Sequence, residues 1–164
     1  MSTAHETRWL DAEEQRTWAQ LSTMILRLQP VLSAQLQREF GISHFEYLIM
    51  ARLSEAPGST LRMSVLATLC GSSLPRLSQA VGRLEKRGWI TRHPDAEDSR
   101  YTLAVLSPAG LRRLQEAAPS HVDAVHEFVF DRLTQTQTRQ LGVICQRILD
   151  GLPPDDSWPS TTTS

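Results

Sequence analysis

Between Ser72 and Ser107 the chain reads SSLPRLSQAVGRLEKRGWITRHPDAEDSRYTLAVLS, and this stretch holds the side chains with the most chemistry to offer. Arg76, Ser78 and Gln79 fall within four consecutive positions, ahead of Arg83 and Lys86. A guanidinium can bond both acceptors of guanine and a carboxamide can pair with adenine, so arginine and glutamine on one helix edge suit the reading of base edges in duplex DNA. Arg83 and Lys86, further along, suit phosphates, which fix register without reporting sequence. Ser72, Ser73 and Pro75 stand at the head of the segment, where a helix N-terminus offers free N–H groups and the positive end of its dipole to a phosphate. Arg92 follows in an extended run, and Asp98-Ser99-Arg100 lies in an acidic turn. Asp98 can hold the Arg100 guanidinium by an ion pair. Exposed pairs contribute only about 0–1 kcal/mol, so orientation would be its purpose.

These side chains need a helix and a hairpin to position them. At about 100° per residue, Leu74, Ala80, Val81 and Leu84 fall within about 60° of Leu77, and these five are expected to face the core. Pro75, Gln79, Gly82 and Lys86 then point the opposite way, with Arg76, Ser78 and Arg83 on the flanks. Ser73 is the expected N-cap, Pro75 lies in the first turn, and Gly88 is the stop. Gly82 costs about 1 kcal/mol of helix propensity, which suits a close approach at mid-face. A short helix from about Met63 to Cys70 precedes it, and Gly71–Ser73 make the turn of a helix-turn-helix. Trp89–His93 and Arg100–Ser107 read as two strands joined by the loop Pro94–Ser99, with Trp89 anchoring the hairpin.

The flanking segments are helical by their periodicity. Asp11 with Glu14 forms a capping box, for which Trp9 or Leu10 would serve as the hydrophobic staple. Trp18, Leu21, Ile25, Leu28, Leu32 and Leu36 then recur every three or four residues as far as Gly41, and Pro30 should kink or interrupt that helix. Ser43 with Glu46 begins a helix reaching about Glu55, and Ala56–Thr60 is a loop by composition. Ser107-Pro108 starts a long helix whose stripe passes Pro119, and Thr134 caps a last one carrying Leu141, Ile144, Ile148 and Leu149. The first ten residues are expected to fray, and 151–164 to be a disordered tail. The terminal helices carry more apolar surface than one small lobe can bury, which points to a dimer.

Composition sets the outer limits. The 164 residues, 40% apolar and 21% charged, suit one domain or two small lobes. No apolar run approaches the roughly 20 residues a membrane helix needs, and the first residues lack the pattern of a signal peptide, so no membrane partner and a cytoplasmic location are expected. The net charge is −1, yet Arg62–Arg100 holds seven bases against four acids and the remainder ten against fourteen. A basic middle in an acidic frame fits one DNA-facing surface. There is no nucleophile elbow, phosphate loop, dinucleotide fingerprint or paired-carboxylate pattern, so an enzyme is not expected, nor a cofactor. The five histidines and two cysteines show no metal-ligand spacing, and the histidines are expected to be solvated or hydrogen-bonded. Cys70 and Cys145 read as small apolar residues, against the sharper possibility of a redox-gated regulator working through Cys70. A winged lobe that binds protein would want an apolar or acidic outward face, where this helix is cationic. A sequence-blind architectural DNA binder would not need Arg76 and Gln79 on one edge.

The run LRMSVLATLCGSS, then LPRLSQAVGRLEKRGWITR, then HPDAEDSRYTLAVLSPAG, with its Asp98-Ser99-Arg100, resembles the winged helix-turn-helix of the multiple antibiotic resistance regulator (MarR) family. The flanking helices agree in order and length, so the resemblance covers about residues 10–150. It implies a mainly α protein. A winged helix-turn-helix DNA-binding lobe would occupy 43–107, and a helical dimerisation lobe would be built from 11–40 and 108–150. It also implies a homodimer on a pseudo-palindromic operator in double-stranded DNA, most often acting as a repressor. Arg76, Ser78 and Gln79 would sit in the major groove and Arg100 in the minor groove. Family members often release DNA on binding a small aromatic effector between the lobes.

Overall fold

The computed structural model describes residues 7–152, so the expected tail falls outside the described residues from 153 onward. Along the chain run α1 (Ala12–Phe40), α2 (His44–Glu55), β1 (Thr60–Arg62), α3 (Met63–Leu69), α4 (Leu74–Lys86), β2 (Ile90–Pro94), β3 (Thr102–Leu106), α5 (Pro108–Phe128) and α6 (Gln135–Asp150). Local chemistry explains most of these limits. Asp11 Oδ1 accepts from the N–H groups of Glu13 and Glu14, both at 2.8 Å, and the Glu14 carboxylate reaches back to the Asp11 N–H. Ser43 with Glu46 and Thr134 with Gln137 close the same reciprocal box at the starts of α2 and α6. Gly41 ends α1 with φ +65°, a left-handed conformation that glycine adopts without steric cost.

Pro30 lies inside α1 without interrupting it, so of the two effects expected, interruption does not occur. The bond it forfeits would have used the carbonyl of Leu26, and Leu26 lies on an open face of the helix where water can approach the freed acceptor. A second difference lies at Thr60–Arg62, which the composition placed in a loop and a helix approach. It is a strand, and it gives an antiparallel sheet of order β1-β3-β2, with Leu61 and Arg92 both opposite Ala104. Three residues are too few to display an alternating pattern, and β3 supplies the ladder that makes them extended.

One continuous core joins both expected lobes. Ile49, Leu66, Leu77, Leu84 and Ile90 are fully buried in it, together with Leu36 of α1 and Ala117 of α5. α6 buries no residue at all, and Val143, Ile144, Ile148 and Leu149 stand 45–60% exposed. Along α1, Trp18, Met24, Ile25 and Leu26 are similarly open.

The hairpin returns the chain tightly against the end of α4. Ser107 Oγ donates to the Gly88 carbonyl at 2.6 Å and accepts from the Gly110 N–H at 3.0 Å, while Ser107 N–H donates to the Trp89 carbonyl at 2.9 Å. A Cβ at position 110 would lie 2.2 Å from the Trp89 carbonyl oxygen and 2.8 Å from Leu106 Cδ1. Backbone cannot swing aside as a side chain can, so Gly110→Ala should lower stability by about 1–3 kcal/mol or more. A urea melt checks this: the midpoint should fall while the slope stays constant. An unmoved midpoint would mean that α5 can slide off the hairpin freely.

Candidate nucleic-acid interface

α4 is seated by Leu77, Ala80, Val81 and Leu84, all buried. Leu74, the fifth residue expected inside, is 47% exposed. Away from the buried side chains, Pro75, Arg76, Gln79, Arg83 and Lys86 are exposed, and Ser78 is half-buried beside the Arg92 guanidinium. Ser73 occupies the N-cap position with extended backbone, but its side chain caps no N–H. Ser72 is buried; its hydroxyl donates to the Ser73 carbonyl at 3.2 Å and its N–H to the Ala67 carbonyl at 3.0 Å. It therefore closes the end of α3 and is withdrawn from the duplex contacts expected of it.

The arginines of this face are held in different ways. Arg76 lays its guanidinium over the Phe45 ring, 4.7 Å from the centroid. Arg83 donates from Nε to Glu46 Oε1 at 2.9 Å, while Glu46 Oε2 accepts the Ser43 N–H at 3.0 Å. Glu46 is buried, so Arg83 is tied to the first turn of α2 and is not the free flank cation that periodicity suggested. Arg92 of β2 folds back onto α4, donating to Glu85 Oε2 from Nη2 at 2.6 Å and from Nε at 3.0 Å, and to Ser78 Oγ at 3.4 Å. The bonds from Arg92 hold the Glu85 carboxyl below the usual carboxylate range. An added Cβ at Gly82 would meet only Arg92 Nη2, at an ordinary 4.0 Å, so nothing within the chain demands glycine there.

The hairpin tip is locked by two ion pairs. Arg100 Nη2 and Asp98 Oδ2 are 2.6 Å apart, and Arg100 Nε donates to Asp98 Oδ1 at 2.9 Å. Each partner favours the charged form of the other, so the Asp98 pKa falls and that of Arg100 rises. The Arg100 side chain remains 82% exposed, presented outward at a fixed angle. Beneath it, Arg62 of β1 donates to Asp95 Oδ2 at 2.8 Å and lies 4.4 Å from the Tyr101 centroid, and Asp95 Oδ1 accepts the Glu97 N–H at 3.0 Å. The Glu97 N–H, and after it Arg62, lower the Asp95 pKa. Sequence reasoning overlooks Phe45, Glu46, Arg62, Glu85 and Asp95. Except for Glu85 and Arg92, seven residues apart, their partners lie more than thirty residues away or in another element, where no short-range pattern can announce them.

Cys70 lies where a small apolar residue is expected, while Cys145 and His121 behave otherwise. Cys70 is buried, and burial pushes its thiol up to about 11, so the thiolate that redox gating requires is suppressed. Cys145 is exposed on α6. His121 is not solvated: it is buried, its Nδ1 has no partner among the described residues, its ring lies 4.3 Å from that of Tyr47 and 5.3 Å from that of His44, and burial lowers its pKa. Among the described residues no group of three or more His, Cys, Asp and Glu side chains could hold a metal ion, and no helix is long and apolar enough to cross a membrane.

A helix-turn-helix with a hairpin wing and a cationic outward face can be matched with known proteins. A sequence model of the MarR family matches residues 40–100. The transcriptional repressor MprA of Escherichia coli is 28% identical over 112 residues, which make up 68% of this chain and 63% of that protein, so the match spans less than two thirds of the curated relative. Among solved structures, Sco3205, a MarR family transcriptional regulator from Streptomyces coelicolor crystallised in complex with DNA, superposes with a TM-score of 0.87 at 42% identity, over 92% of this chain and 98% of that one. AbsC, a second MarR family regulator from Streptomyces coelicolor, gives 0.82 at 33% identity, over 88% and 97%.

Proposed function

The chain belongs to the MarR family of transcriptional regulators, and from that membership we propose that it is a homodimeric, sequence-specific binder of double-stranded DNA that represses transcription. The observation that carries this reading is the exposure of Arg76 and Gln79 together on the side of α4 opposite Leu77, Val81 and Leu84. Arg76 and Gln79 read base edges in the major groove, with Ser78 beside them. Lys86 and the Glu46-bound Arg83 meet phosphates. Arg100, aimed by Asp98, enters the neighbouring minor groove, and Arg92 braces the wing against α4. The relative crystallised with DNA and the relative named a repressor support the same assignment. The open apolar faces of α1 and α6 support a dimer, since a monomer would leave them in water. A cytoplasmic location goes with this reading.

Release by a small aromatic effector extends it. The cleft between α2 and α5 is lined by Tyr47, Leu48, His121, Val125 and Phe130, with the polar Arg52, Glu55 and His126 among them. That lining suits an aromatic compound carrying a polar or charged group.

Footprinting on the DNA upstream of the protein's own coding region tests the central claim. Protection of two half-sites about one helical turn, roughly 10 bp, apart is expected. The logarithm of affinity should fall linearly with the logarithm of salt, at about −0.9 per phosphate neutralised. No protection on any duplex, or a flat salt response, would transfer the cationic face to a protein partner.

A further inference from the structure

We infer that Phe45, on the first turn of α2, is the positioning residue for Arg76 and thereby sets how sharply the protein discriminates at the base pair Arg76 reads. The inference rests on the proposed reading of Arg76 as a base contact and deepens it.

The contrast among the arginines carries it. Arg62, Arg83, Arg92 and Arg100 each spend N–H donors on a carboxylate, those of Asp95, Glu46, Glu85 and Asp98 respectively. Among the described residues Arg76 has no such partner; its guanidinium rests on the Phe45 ring instead. An aromatic ring attracts the guanidinium through its π face. It therefore holds the group in place while leaving its N–H edge free, whereas a carboxylate would occupy the donors that guanine needs. A long exposed side chain gives up rotamer freedom when it settles on a base, and one already resting on a ring gives up less. Phe45 itself is fixed, because it is packed against the core next to Glu46, whose carboxylate ties α2 to α4 through Arg83. The ring is thus part of the same rigid seat that holds the helix, and it can aim Arg76 without touching DNA.

The test begins with the duplex that the wild-type protein selects from a random-sequence library. Arg76→Ala first identifies the base pair at which discrimination is lost. Phe45→Leu, which keeps an apolar side chain but removes the ring, should then cut discrimination at that pair by about two- to fivefold, the range expected for an exposed cation–π contact. Affinity for a scrambled duplex should be unchanged, and Phe45→Tyr should restore the wild-type pattern. Adding Phe45→Leu to Arg76→Ala should cost nothing further, because the pair acts as one unit. Thermal melting checks that each variant folds, and Phe45→Met serves if leucine does not. Unchanged discrimination, an equal loss on every duplex, or additive losses in the double variant would each overturn the positioning role alone. A sequence-independent loss for Arg76→Ala would overturn the base contact, and the role of Phe45 with it.

Discussion

Arg76→Ala should weaken binding to the selected operator by about 1–3 kcal/mol, roughly five- to 150-fold, and relax specificity at one base pair in each half-site. The side chain is exposed and buries nothing in the core, so the variant should melt within a few degrees of the wild type, losing only its exposed contact with Phe45. The expected loss therefore belongs to the complex and not to the fold. Its size follows from what arginine does at guanine: two parallel N–H bonds to O6 and N7, both of which an alanine leaves unmade. Lys86→Ala offers the internal contrast. It should weaken all sequences alike and flatten the salt slope by about one unit, because a phosphate contact carries no base information. Measuring both variants against the operator and a scrambled duplex separates the two roles. An Arg76→Ala loss as large on the scrambled duplex as on the operator would reassign Arg76 to the backbone.

Placing two charges on α6, as Ile144→Asp with Ile148→Asp, should produce a monomer and lower operator affinity by about 10²–10⁴-fold. α6 contributes no buried residue to its own chain, so the substitutions remove nothing from the winged core. Ile144 and Ile148 are one helical turn apart on a face that also carries Leu141, and each is about half exposed in the isolated chain. In a dimer they would be covered, and an unpaired carboxylate there would cost far more than the lost methyl groups. Once the chains separate, each winged lobe must find its half-site alone and the effective concentration supplied by the partner disappears. Sedimentation should report half the mass, and footprinting should lose cooperative protection of the two half-sites. A variant that remains dimeric at micromolar concentration would show that α6 is not the joint.

Much of the fold is legible because its causes are local. The capping boxes at Asp11 and Ser43, the glycine stop at Gly41 and the stripe of Leu77, Ala80, Val81 and Leu84 act over four residues or fewer at each step, the span of one helical turn. The Asp98–Arg100 pair is two residues apart and just as readable. Periodicity misplaces Leu74 because it says which way a side chain points but not whether anything covers it there. Ser72 escapes for a related reason: a serine beside a helix start can face the duplex or close the preceding helix, and both choices use the same residue.

By itself, then, the order of residues settles the helices, the capping boxes at Asp11 and Ser43, the cationic edge of α4 and the acidic turn that holds Arg100, since each depends on neighbours along the chain. Folding alone decides that Thr60–Arg62 becomes a strand, that His121 goes inside while Cys145 stays exposed, that Glu46 claims Arg83, that Asp95 claims Arg62, and that Arg76 comes to rest on Phe45. Those pairings join residues from different elements. A carboxylate or a ring can meet a guanidinium only where packing has brought two backbones side by side, and no interval in the sequence records that distance.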